Sequence, residues 1–173
     1  DDFTSMYEAT LQMIRTGVKD IVYFYNSTSY SGKRKLAGYR AAMEEKRLLT
    51  GANLLQFYHG SHEDIPAMTE FLCKLHEKGL RFHGIIAADD TLALAAIKYA
   101  RLQKYRIPED FSVLGYNNSM LAFCCEPELT SIDNKLETLC QHLIFTLLGV
   151  LGGKEMPKKT IFSGEIVKRC TTR

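Results

Sequence analysis

Residues 84–118 read GIIAADDTLALAAIKYARLQKYRIPEDFSVLGYNN, and the fold is decided here. Gly84 to Ala88 is a small, apolar run without alternation, the pattern of a strand covered on both faces. Asp89 and Asp90 end it, and a short carboxylate there can accept from the free N–H groups of a helix's first turn. The spacing predicts an Ala-rich helix from about Thr91 to Lys104. Pro108 breaks it, and Phe111 to Tyr116 is a second apolar strand ending in Gly115-Tyr116-Asn117-Asn118. Strand, helix, strand within this length is a βαβ unit, with parallel strands and a right-handed crossover. Both strands then deliver polar groups to one carboxyl edge, where open α/β sheets bind ligands.

The flanks repeat the alternation. Upstream, Asn53 to Tyr58 reads as a strand, and Asp64 caps a helix with Pro66 in its first turn. Met68, Phe71, Leu72 and Leu75 form that helix's buried stripe, and Gly79 stops it. Further upstream, Ile21 to Tyr25 is a strand and Asn26 to Gly32 a polar loop. Ser31 is the expected cap of a helix carrying Leu36, Tyr39, Ala42 and Met43 inward. At the start, Asp2 is the expected cap of a helix closed by Gly17. Downstream, 120–128 reads as a loop and Leu129 to Asn134 as a short extended segment. Lys135 to Val150 is expected as an amphipathic helix with its leucines on one wide stripe, and 160–169 as strand, turn at Gly164, strand. The fold class is α/β, a parallel sheet with helices on both faces.

Bulk properties narrow the function. A length of 173 residues suits one domain with a real core. Twenty-two basic against 20 acidic residues, net +2, argue against a dedicated nucleic-acid surface. No apolar run approaches the ~20 residues that span a bilayer, and the first residues have no signal-peptide pattern. Five cysteines without C-x-x-C spacing argue against a disulfide framework or zinc site, so a reducing cytoplasm is expected. The opening lies directly inside a helix signal, which suggests a piece of something longer.

Catalytic templates fail: there is no G-x-S-x-G elbow, Walker loop or dinucleotide fingerprint. His59 and His62 lack nearby partners for a metal, and no cation neighbours Cys124-Cys125 to activate a thiol. Asp89-Asp90 could serve as a general base, or divide into a helix cap and one outward carboxylate. Lys33-Arg34-Lys35 sits at a helix start, where cations oppose the dipole. It is either a solvated face or a source of one cation, Lys35 first, that holds a polar or anionic ligand. The helix after Asp90 is apolar on nearly every side, so something covers its second face: a partner subunit, or another part of the same chain.

Several segments together resemble the LacI/GalR family of bacterial transcription repressors: DDFTSMYEATLQMIRTGVKDIVYF, KLAGYRAAMEE, the 84–118 stretch, PELTSIDN and EIVKRCTT, in the right order over essentially the whole chain. The resemblance implies the periplasmic-binding-protein-like type I fold, two Rossmann-like lobes with an effector between them. On it, about 14–131 and 165–173 belong to the second lobe, and about 132–164 are a remnant of the first. The N-terminal helix-turn-helix headpiece and most of the first lobe would be absent. Effector residues carry over as Lys35, where the family has Arg, Asn117, where it has Asp, and Asp89, where Asn is common. Ser29 and Ser31 lie in the loop that reaches the ligand, His59 matches an often aromatic position, and Asn134 follows a crossover. Lys offers a point charge rather than a planar fork, and Asn both donates and accepts.

The expected function is therefore the ligand-sensing and dimerisation part of a LacI/GalR-type regulator. It would bind a sugar-like or other polar small metabolite, form a homodimer in the cytoplasm, and reach operator DNA only through the absent headpiece. No cofactor, metal or membrane is implied, and no enzymatic activity. A solute-binding protein of a transport system and a flavodoxin-like enzyme using Asp89 or Asp90 are the rival expectations.

Overall fold

A computed structural model describes residues 1–57 and 64–173. In chain order the elements are α1 (Asp2–Arg15), β1 (Ile21–Tyr25), α2 (Tyr30–Glu45), β2 (Leu54–Gln56), α3 (Ile65–Glu77), β3 (Gly84–Ala87), α4 (Asp90–Leu102), β4 (Ser112–Tyr116), α5 (Met120–Cys124), β5 (Thr130–Asp133), α6 (Leu136–Leu151) and β6 (Glu165–Val167). One sheet has the order β2-β1-β3-β4-β5-β6. Its neighbours are parallel except β5 and β6, which are antiparallel. The order reverses between β1 and β3, so the chain places its topological switch point there.

The buried strands explain the two covering layers. Tyr23 of β1 stacks on Tyr39 of α2 with ring centroids 5.2 Å apart, whereas the next residue, Phe24, stacks on Phe71 of α3 at 6.0 Å. Successive side chains of a strand point to opposite faces, so α2 and α3 lie on opposite sides. On the α2 face, α1 approaches so closely that a Cβ on Gly38 would stand 2.3 Å from the Phe3 carbonyl oxygen. The expected helix stops hold, with Gly17 and Gly79 both at φ +93°.

Several expectations are corrected. The cap of α1 is Asp1, which accepts from the Thr4 N–H, and Asp2 falls in the first turn. Ser29, not Ser31, caps α2 by accepting from the Gly32 N–H at 3.1 Å. The loop after β4 contains the short helix α5, and of the expected final strand pair only β6 forms.

Two helices differ from their sequence reading in an instructive way. On α4, Leu92, Ala93, Ala95, Ala96, Ile97, Tyr99 and Ala100 are all buried within the single chain. Beneath it, Tyr99 meets the rings of Phe82 and Phe111, and on its flank Thr69 of α3 donates to Ala95 O at 3.4 Å. The chain itself covers the second apolar face, so that face carries no argument for a partner. On α6 the reverse holds. Leu143, Ile144, Phe145, Leu147, Leu148, Val150 and Leu151 are all more than half exposed, which is apolar surface most of the way round rather than one stripe. Its covered side meets the returning segment, where Met156 lies against Gly149 and Phe162 against His142.

Candidate ligand site at the carboxyl edge of the sheet

The switch point is where the expected cation arrives. Lys35 projects from the second turn of α2 and is only 9% exposed. Its Nζ donates to Ala88 O at 3.0 Å, just beyond β3, and lies 3.7 Å from the centroid of the Tyr116 ring at the end of β4. Burial pulls the ammonium's pKa below the ordinary lysine value, although Asp2, Asp89 and Asp90 act to raise it. A cation in low dielectric is tolerable only with such partners. The Tyr116 hydroxyl in turn donates to Asp2 at 2.8 Å, joining α1 to the same edge.

The paired aspartates divide their roles. Asp89 caps α4, accepting from the Leu92 N–H at 2.9 Å. Burial raises its carboxyl above the usual range, opposed by the Leu92 and Thr91 N–H groups and by Lys35. Asp90 is not the outward carboxylate expected from sequence: it turns inward, accepts from Ser119 and Ser131, and is 2% exposed. After β4, Asn117 and Asn118 both take left-handed backbone angles, φ +102° and +48°. Asparagine tolerates that region better than most residues, and the double turn lifts Asn117 to the surface. Its Oδ1 accepts from Asn134 Nδ2 at 2.8 Å, so the ends of β4 and β5 meet.

The structure brings Lys35 to the Ala88–Asp89 strand end and Asn117 to Asn134. Tyr116 joins them, lying on Lys35 and preceding Asn117. Ser29 is spent on its cap and is exposed, and Ser31 is half-buried in the first turn of α2. His59 lies outside the described residues, as does His62.

Beside Tyr116 opens a cavity of about 520 Å³ lined by Asp2, Ser5, Tyr30, Arg34, Tyr116, Asn134 and the 159–162 segment, among others. Of the expected site residues that are described, only Asn134 lines it. Tyr30, Arg34 and Tyr116 were not singled out from sequence. Tyr30 stood in a polar loop as an aromatic with no core partner, and it is 82% exposed; that was its signal. Arg34 was visible in the basic cluster but ranked behind Lys35. Tyr116 read as the end of a core strand. The wall offers two carboxylates, the Asn134 amide, the phenols of Tyr30 and Tyr116 and the cations Arg34 and Lys159, which suit a polar small molecule. No group of three His, Cys, Asp or Glu among the described residues is arranged to hold a metal ion.

The chain is similar to known proteins in sequence and in fold. Residues 10–172 match a family described as periplasmic binding protein-like domain. An HTH-type transcriptional regulator of Lachnoclostridium phytofermentans is 43% identical over 172 residues, covering 99% of this chain and 51% of its own. The crystal structure of a sugar-binding transcriptional regulator of the LacI family from Escherichia coli, complexed with phosphate, superposes with a TM-score of 0.86 at 24% identity, over 99% of this chain and 61% of that one. The transcription regulator GntR from Chromobacterium violaceum superposes with a TM-score of 0.89 at 18% identity, over 99% and 63%. The chain spans about half the length of the curated relatives it matches.

Proposed function

Since this chain belongs to the periplasmic binding protein-like domain family, in the form found in LacI-type transcription regulators, we propose that it senses a sugar-like or other polar small metabolite at the carboxyl edge of its sheet. The observation that carries this is the convergence at the switch point. Lys35 lies on the Tyr116 ring, Asn117 is bonded to Asn134, and Tyr116 and Asn134 line a cavity of about 520 Å³. Lys35 acts mainly as the pin holding the Ala88 strand end and the Tyr116 ring. Asp89, Asn117 and Asn134 supply acceptors and donors for ligand hydroxyls. The charged side chains of the wall balance, Asp1 and Asp2 against Arg34 and Lys159, which suits a neutral polar ligand.

In the intact regulator the ligand favours one arrangement of the two lobes and so biases DNA binding, a population shift without chemistry. On this reading 132–164 belong with the first lobe, and the exposed leucines of α6 pack there. The regulator works in the cytoplasm. The relatives are transcriptional regulators, which favours neither the transport reading nor the enzyme reading. A homodimer is part of the proposal, supported by exposed apolar side chains, Leu102 at the end of α4 and Met120, Leu121 and Phe123 on α5.

The test is calorimetric titration with a panel of neutral mono- and disaccharides and their phosphates. Lys35→Met, which keeps the stem and removes the charge, and Asn117→Gly, which keeps the positive φ and removes the amide, should each weaken the sugar that binds by about tenfold or more. Unchanged affinity in both variants would overturn the site.

A further inference from the structure

Asp90, outside the residues assigned to the ligand, is tied to more of the carboxyl edge than any of them. One carboxylate oxygen, Oδ2, accepts from both the N–H and the hydroxyl of Ser119, each at 2.7 Å. The other, Oδ1, accepts from the Ser131 hydroxyl at 2.6 Å. That hydroxyl oxygen then accepts from the Asn118 N–H at 3.0 Å. Beyond it, Asn118 Nδ2 donates to Asp133 at 3.2 Å, and Asp133 Oδ1 accepts from the Lys135 N–H at 2.7 Å. Lys135 holds φ +54° at the crossover out of the sheet. The group thus stands next to Asp89 in sequence, two residues from Asn117 through Ser119, and three from Asn134 through Ser131.

We propose that Asp90 is a positioning residue that couples the ligand edge to the 133–135 crossover. A buried carboxylate is costly unless its lone pairs are filled, and charge-assisted bonds this short fix geometry as well as energy. Moving the 117–119 turn strips two bonds from Oδ2, and moving β5 strips the one on Oδ1. Either displacement leaves charge bare in the interior, so the two segments hold one arrangement together or leave it together. A ligand that shifts Asn117 therefore also shifts the crossover at Lys135. The word ligand rests on the function proposed above; the coupling does not.

Native-state amide hydrogen exchange on this chain tests it reciprocally, because coupling between two sites must act equally in both directions. Ser119→Ala, on the turn side, should speed exchange of the Lys135 amide by about fivefold or more. Ser131→Ala, on the crossover side, should speed the Ser119 amide by a similar factor. Amides of Ile21–Phe24 and Ile85–Ala87 should keep wild-type rates. Acceleration confined to the mutated segment overturns the proposal, as does uniform acceleration that includes the central strands, which would mark Asp90 as an ordinary stability element. No ligand enters the measurement, so its failure leaves the sugar titration standing, and the converse also holds.

Discussion

Replacing Gly115 by alanine tests how tightly the site is built. Gly115 lies in β4, between β3 and β5, where glycine normally weakens a strand. The space for a side chain is already taken. A Cβ there would stand 2.4 Å from Asp90 Oδ1 and 2.8 Å from Leu129 Cδ2. Neighbours on both sides hold the backbone of β4, so the carboxylate has to give way by close to an ångström. Overpacking of this kind costs about 1–3 kcal/mol, and the displaced carboxylate loses the 2.6 Å bond from Ser131, a charged hydrogen bond of about 1.5–3 kcal/mol. The expected loss is about 3–5 kcal/mol, or a fall in Tm of ~6–20 °C at this chain length. Urea unfolding followed by circular dichroism measures it. In an Asp90→Ala background only the Leu129 contact remains, so Gly115→Ala should there cost roughly 1.5–3 kcal/mol less. A wild-type-background loss below about 1 kcal/mol, or full additivity of the two changes, refutes the reasoning.

Three further outcomes are expected. Ile21 O receives two buried donors, Tyr39 Oη at 2.9 Å and Asn53 Nδ2 at 2.7 Å; Tyr39→Phe and Asn53→Ala should each cost about 1–2 kcal/mol, and the double variant more than their sum, because only it strips both side-chain donors from that carbonyl. The Arg106 guanidinium and N–H hold the Asp110 carboxyl down to about 2; a depressed folded value means its contribution is present above the ordinary carboxylate range and is lost as pH falls through about 2, and NMR titration of Asp110 should return toward the ordinary value in Arg106→Gln. Ile144→Glu and Leu148→Glu replace side chains that are 60% and 63% exposed, so each should change stability by no more than about 0.5 kcal/mol, while binding of an apolar dye to the folded chain falls; a large stability loss would show that α6 is packed after all.

The helix caps and strand ends of the carboxyl edge were legible because their signals are local. A capping carboxylate before an apolar helix needs only its own first turn, and Asp89 and Asp64 both act as read. The strands of a βαβ unit are parallel, so their carboxyl ends fall on one edge, which brought Asp89 and Asn117 there. Ser29 displaced Ser31 as cap because the helix began two residues early, a boundary decided by a single hydrogen bond. Asp90 was indistinguishable from Asp89 in sequence. Its role is made by Ser119 and Ser131, 29 and 41 residues away.

Amino-acid order alone determined that this is a mostly parallel α/β chain, since apolar runs, caps and breakers act over a few residues. It also carried the family likeness. Only the tertiary structure decided which groups are free and which are spent. Lys35 turned out to be held by a carbonyl and a ring, Asp90 to be enclosed by two serines, and α4 to be covered by its own chain while α6 is not. Burial and hydrogen-bond partnership are set by residues distant in sequence, and no local pattern encodes them.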